Sequence, residues 1–186
     1  DGRVIRYAYD PAGRVTEKQE LGVRTAADVA TDPGEAPHLL RTQYRRDAAG
    51  RVVEKTVARA TDKRVQRTHY EYDAAGRLVA GINAGGRVGL AYDDLGQVVE
   101  ETSLVLGSQR RVGYAYDGLG NRIETTTPDG RVLSQRYYGP GFLHQISFDD
   151  AVLTDIERDV MQRETVRTQG VLTSYFAYDA AGRRVG

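Results

Sequence analysis

The chain has 186 residues, and its 26 basic and 26 acidic side chains cancel to a formal net charge of zero. Balanced charge gives no field to draw in nucleic acid or an anionic membrane; no run of about 18 apolar residues is present to span a bilayer; and the absence of cysteine excludes disulfides and thiol chemistry. Tryptophan is absent and three phenylalanines stand against twelve tyrosines, a thin supply for a packed two-layer core but adequate for a broad sheet held by cross-strand contacts.

The N-terminal Asp1-Gly2-Arg3-Val4 reads as a turn cut out of a repeat, so the chain is expected to be an excerpt of something longer. The first full motif follows as Tyr7-Ala8-Tyr9-Asp10-Pro11-Ala12-Gly13-Arg14-Val15. Aromatic residues two apart favour a strand and share one of its faces. Asp-x-x-Gly then suits a type I turn closing into a bulge, with Asp bonding back to the turn amides and Gly taking a positive φ. Pro11 sits where its fixed φ already fits that turn. Residues 20–41 interrupt the pattern: Thr25–Ala30 suits at most one helical turn, which Asp32-Pro33-Gly34 and Pro37 end, and an enlarged edge loop is expected there.

The motif returns with Tyr44, Asp47 and Gly50, where Arg46 replaces the second tyrosine. It recurs with Tyr70, Tyr72, Asp73 and Gly76; with Leu90, Tyr92, Asp93 and Gly96; with Tyr114, Tyr116, Asp117 and Gly120; and with Phe176, Tyr178, Asp179 and Gly182. Subtraction gives intervals of 37, 26, 20 and 24 residues between successive aspartates, then a gap of 62. Two worn copies fill that gap. Tyr137-Tyr138-Gly139-Pro140-Gly141-Phe142 loses the aspartate, and Arg158-Asp159-Val160-Met161-Gln162-Arg163 loses the glycine. With Gly139 taken as the aspartate equivalent, the intervals become 22, 20 and 20. Recurrence at this spacing marks a repeat architecture.

Within each copy Tyr72 is expected opposite Leu78, as Tyr9 is opposite Val15, and Asp73 with Arg77 forms a cross-strand charge pair worth roughly 0.2–1 kcal/mol. The copies at Asp117 and Asp179 carry one extra residue before their apolar Ile123 and Val185, which a bulge is expected to absorb. A second class of turn lies between motifs, at Asp1-Gly2, Asp62-Lys63, Gly85-Gly86, Gly107-Ser108, Asp129-Gly130 and Gln169-Gly170. Turns alternating between two edges give two strands per repeat in an antiparallel meander.

Little in the chain points to catalysis. His38, His69 and His144 lack metal-ligand spacing. The carboxylate pairs Asp93/Asp94 and Asp149/Asp150 suit turns better than glycoside hydrolysis, because adjacent strand residues point to opposite faces. Gly81–Gly86 lacks a phosphate-loop lysine, and each post-turn arginine has an acidic neighbour. The tyrosine rows are the strongest functional candidate, either as sugar-binding faces or, more simply, as aromatic ladders. No catalytic, cofactor-binding or metal-binding residue is assigned.

Tyr-x-Tyr-Asp-x-x-Gly-Arg resembles the signature of the YD-repeat, or rearrangement-hotspot (Rhs), family. The stretch Tyr137–Ile146, with Glu157-Arg158-Asp159 and Arg167-Thr168-Gln169-Gly170, is similar to the core of bacterial Rhs proteins. The resemblance covers almost the whole chain as about eight repeats in one segment, 1–186. It implies an all-β fold in which antiparallel hairpin repeats form part of the wall of a large spiralling β-sheet shell. It further implies a scaffold that encloses a C-terminal toxin domain in a polymorphic toxin, such as a type VI secretion effector. Such a protein is made in the bacterial cytoplasm and then secreted or delivered to a target cell. The implied partners are the rest of the shell, its toxin, and secretion-spike or chaperone proteins, with no cofactor, nucleic acid or membrane span. The family's aspartyl autoproteolysis site has no match here and is expected outside the segment. The alternative is a surface-displayed adhesion or carbohydrate-binding module.

Overall fold

The computed structural model describes residues 4–22, 38–60 and 64–185. Most of the expected loop at 20–41, the turns at Asp1-Gly2 and Asp62-Lys63, and the side chain of His38 therefore lie outside the described residues. The short aromatic and β-branched runs between turn signals all become strands. In order these are β1 (Val4–Tyr9), β2 (Val15–Leu21), β3 (His38–Arg46), β4 (Val52–Arg59), β5 (Val65–Tyr72), β6 (Leu78–Asn83), β7 (Gly86–Tyr92) and β8 (Val98–Val105). They continue as β9 (Ser108–Tyr116), β10 (Arg122–Thr126), β11 (Val132–Tyr137), β12 (Leu143–Phe148), β13 (Ala151–Arg158), β14 (Glu164–Gln169) and β15 (Leu172–Tyr175). Strand order in the sheet is sequence order throughout, the all-β antiparallel meander expected from alternating turns.

Two compact units divide the chain: Asp1–Gly89 with Ser103–Ser108, and Leu90–Thr102 with Gln109–Gly186. Within the first unit, β3 and β5 alternate. Arg41, Gln43, Arg45, Arg67, His69 and Glu71 are exposed, while Leu40, Tyr44, Tyr70 and Tyr72 are half-buried and Thr42 is buried. The exposed set is laced by Arg41–Glu17 at 2.8 Å, Arg87–Glu71 at 3.0 Å and Arg45–Glu54 at 3.8 Å. In the second unit the register aligns Tyr114, Thr125, Leu133 and Phe148 across β9 to β12 on one face, next to the row Gln135, Ile146 and Thr154. Among the described residues only Leu21, Ala80 and Ile156 are buried apolar side chains. Stability here comes from ladders and turn clasps, as the scarcity of bulky residues foretells.

Candidate functional site

The motif turns are the most fully built feature of the molecule. In each, the Asp carbonyl accepts a hydrogen bond from the Gly amide and the Asp amide donates to the carbonyl four residues on, at 2.9 and 2.9 Å for Asp10 and 3.0 and 2.9 Å for Asp73. This is a type I turn followed by a left-handed residue. The closing glycine holds φ of +84° at Gly76 and +85° at Gly50, a region costly for a side chain with a Cβ.

The aspartate clasps its own turn from above. Asp73 Oδ1 accepts the Arg77 amide at 2.8 Å, and Oδ2 accepts Arg77 Nε at 2.7 Å. The same pair of bonds recurs at Asp10–Arg14, Asp47–Arg51, Asp159–Arg163 and Asp179–Arg183. The expected charge pair is therefore present, but it lies within the turn and not across the ladder. Arg77 beside it and the turn amides hold the Asp73 carboxyl below the usual aspartate range; Arg51 does the same for Asp47, and Arg163 for Asp159.

A second set of contacts ties each copy to the one before. Tyr72 Oη donates to the Val52 carbonyl at 2.8 Å, Tyr116 to Val98 at 2.9 Å, Tyr137 to Arg122 at 3.2 Å and Tyr178 to Glu164 at 2.8 Å. Each acceptor stands five residues after the previous copy's aspartate position. The clasped arginine completes the tie, with Arg51 4.8 Å from the centre of the Tyr72 ring and Arg163 4.7 Å from that of Tyr178, a cation–π contact. Asp47, Arg51 and Tyr72 thus form one hydrogen-bonded and stacked unit spanning two repeats. The tyrosine before the aspartate position serves as an inter-repeat clamp at Tyr72, Tyr116, Tyr137 and Tyr178, a role distinct from sugar-binding faces or aromatic ladders. Tyr7 and Tyr9 do pair ring to ring, at 6.3 Å.

The exceptions follow the same logic. Arg46, where tyrosine is usual, donates through Nη2 to the Val15 carbonyl at 3.1 Å, the same acceptor position. Arg158 does likewise toward Leu143 at 3.0 Å. At both sites arginine stands in the tyrosine's place before the aspartate. In the worn copy, Tyr138 N donates to Phe142 O at 2.8 Å, so Tyr138 and not Gly139 takes the aspartate position. The corrected intervals are 21, 21 and 20, by subtraction among Asp117, Tyr138, Asp159 and Asp179. Asn121 of the preceding turn replaces the lost carboxylate: its Oδ1 accepts the Gly141 amide at 2.7 Å, and its Nδ2 donates to Gly139 O at 3.1 Å and Asp117 Oδ2 at 2.8 Å. In the other worn copy Gln162 accepts φ of +64°.

Register settles the remaining expectations. Tyr72 pairs with Leu78 and Tyr9 with Val15. The copies at Asp117 and Asp179 carry no insertion, because Arg122 pairs with Tyr116 and Arg184 with Tyr178 at the usually apolar position. Ile123 occupies the skipped residue of a bulge that also recurs after Val15, Val52, Leu78, Leu143 and Glu164. Of the opposite-edge turns, the one expected at Asp129-Gly130 lies there, within 128–130, while those at Ala84–Gly85, Leu106–Gly107 and Gly170–Val171 are each shifted by one residue from the expected pair. Asp149 and Asp150 form a further turn at φ of +44° and +67°. Asp149 is spent on the Val132 amide and Arg131 Nε, each at 2.8 Å, so this pair is structural.

No group of three potential metal ligands occurs among the described residues. His69 Nδ1 lies 3.3 Å from Glu54. His144 bonds the Ile156 carbonyl at 3.1 Å and lies under Tyr138 at 4.3 Å. Among the described residues no helix is long and apolar enough to cross a membrane.

The fold and the turn column define a hairpin-repeat β-sheet protein whose ties run from each repeat to the next. The RHS Repeat family model matches residues 72–108 and 92–132. Double-stranded DNA deaminase toxin A of Burkholderia cenocepacia (strain H111) is 48% identical over 58 residues, covering 31% of this chain and 4% of the relative. Crystal structures of TcdB2-TccC3-Cdc42 and of TcdB2-TccC3 without its hypervariable C-terminal region match with TM-scores of 0.66 and 0.67 at 15% and 14% identity. Each match covers 98% of this chain and 12% of the solved one. Residues 72–132 thus match RHS repeats, and the fold of the chain is similar to that of the solved TcdB2-TccC3 structures.

Proposed function

We propose that the chain is a stretch of Rhs shell wall whose role is mechanical: to enclose a C-terminal toxin domain during production and delivery. The observation that carries this reading is the construction of the sheet. Fifteen strands follow one another in a single order among the described residues, and three buried apolar side chains give them almost no interior of their own. A sheet with so little interior suits a wall between two spaces. The toxin-named relative supports a cargo, and the TcdB2-TccC3 likeness supports the wall fold. Secretion by a type VI or related route, and use against competing bacteria or a host, belong to the same reading.

The wall needs no catalytic group, and the aspartates that recur most regularly are committed to their turns. A glycan-binding module draws less support, because Tyr72, Tyr116, Tyr137 and Tyr178 spend their hydroxyls on neighbouring repeats. Limited proteolysis of the native full-length parent, followed by denaturing mass analysis, tests the enclosure. A protease-resistant C-terminal fragment that stays associated until denaturation is expected; uniform digestion of the C-terminus defeats the reading.

A further inference from the structure

The inter-repeat ties share one geometry. Tyr72 is the last residue of β5 and its acceptor Val52 the first of β4; Tyr116 and Val98 stand likewise on β9 and β8, and Tyr137 and Arg122 on β11 and β10. The arginine ties obey the same rule: Arg46 ends β3 and Val15 begins β2, while Arg158 ends β13 and Leu143 begins β12. Each tie therefore closes the open end of a hairpin whose turn lies at the opposite edge. Those turns have no common composition, as Leu106-Gly107, Asp149-Asp150 and Gly170-Val171 show. The motif hairpins need no such closure, because the Asp–Arg clasp already holds turns such as that of Asp73 and Arg77.

Chain order gives this arrangement a direction. In every tie the acceptor carbonyl lies earlier in the chain than the donor, on the strand that the donor's strand pairs with. The donor side chain ends its own strand, so the tie is complete before any residue of the next strand is needed. Asn83, the end of β6, follows Tyr72 by 11 residues. At a translation rate of about 5–20 residues per second, the second partner of β5 is complete about 0.5–2 s after Tyr72. A hairpin closes in about 1–10 μs. β5 thus has time to pair with β4 long before β6 exists, and Tyr72, bonded to Val52 and stacked with Arg51, fixes its end there.

We infer that the motif tyrosine, or the arginine in its place, is an assembly lock. The sheet grows by single strands in the order of synthesis, and each tied strand is fixed to the finished part before its own motif hairpin is made. The growth order follows from the ties alone. Its consequence for function rests on the reading of the segment as a wall around a C-terminal toxin: a wall built in this order stands before its cargo emerges.

The test is an arrest-peptide force measurement on ribosome-bound nascent chains of the parent, begun at its own N-terminus and stalled at successive lengths. Release from arrest should rise as Tyr72 leaves the exit tunnel with β6 still inside it. Tyr72→Ala should delay that rise by the 11 residues that separate Tyr72 from Asn83. Tyr72→Phe, which keeps the ring beside Arg51, should lower the rise at its original length. A rise that first appears with Asn83 in the unaltered chain means that motif hairpins form before they dock, and it overturns the inference. A Tyr72→Phe profile identical to that of the unaltered chain, or an undelayed rise in Tyr72→Ala, also overturns it. An onset at Tyr72 in a parent that retains no protected C-terminal fragment upholds the inference and defeats enclosure alone.

Discussion

Replacing Tyr72 with phenylalanine removes one atom from the clamp and leaves the rest in place. The hydroxyl that donates to the Val52 carbonyl at 2.8 Å is lost, while the ring stays under Arg51. A neutral hydrogen bond of this kind contributes about 0.5–1.5 kcal/mol net. In a chain of this size about 1 kcal/mol lowers Tm by roughly 2–4 °C. Tyr178→Phe removes the equivalent 2.8 Å bond to Glu164 and is expected to cost the same. The two sites share no partner, so their losses should add. Tyr9→Phe is the matched control: it has the same motif position and chemical change, but Tyr9 is 59% exposed and its hydroxyl bonds none of the described residues. Thermal unfolding of the four proteins, followed by circular dichroism, reads the difference. Equal loss in Tyr9→Phe, or none in Tyr72→Phe and Tyr178→Phe, refutes the clamp as a source of stability.

Gly76→Val should destabilise by more than Arg77→Ala, as measured by urea unfolding. The first forces a β-branched residue to φ of +84°, at about 1–2 kcal/mol or more. The second removes a half-exposed ion pair worth about 0.2–1 kcal/mol, so equal losses contradict the turn assignment. Asn121→Ala should selectively speed amide exchange at Gly141, whose acceptor it removes; unchanged protection there means Asn121 does not sustain the worn turn. Acid should loosen the sheet. Asp47, Asp73 and Asp159 have folded pKa values depressed by their arginine partners and turn amides, so their stabilisation is complete above about pH 4 and lost as pH falls through the lowered values. Glu17, held down to about 2 chiefly by Arg41, behaves likewise between 4.5 and about 2. A urea midpoint unchanged from pH 5 to pH 2 contradicts this. Finally, β1 and β15 are the outermost strands among the described residues, so the isolated segment, with sheet edges to offer, should self-associate. Sedimentation showing a stable monomer sinks that expectation.

The fold was legible because its determinants are local. Asp, Gly and the flanking aromatics announce each turn within five residues, and the pairing of Tyr72 with Leu78 follows from turn geometry alone. What escaped was chemistry between repeats. Nothing near Arg46 in sequence says that its guanidinium reaches Val15. Asn121 likewise serves the following turn as well as its own, which its place beside Gly120 in the sequence does not announce. The slip at Gly139 arose from taking Tyr138 as the aromatic before the aspartate; Gly141, as the closing glycine, places Tyr138 itself at the aspartate position, as the backbone pairing shows. The opposite-edge turns were harder still. Leu106, Asp149 and Asp150 take left-handed φ without being glycine, so turn composition placed those hairpins imperfectly.

Electron cryomicroscopy of the full-length parent tests the proposed wall most directly. The expected map shows residues 1–186 as part of a closed sheet with further density enclosed within it, and it vanishes from the interior when the C-terminal domain is deleted. An open strip of hairpins with nothing inside, the C-terminal domain standing free in solvent, would contradict the shell.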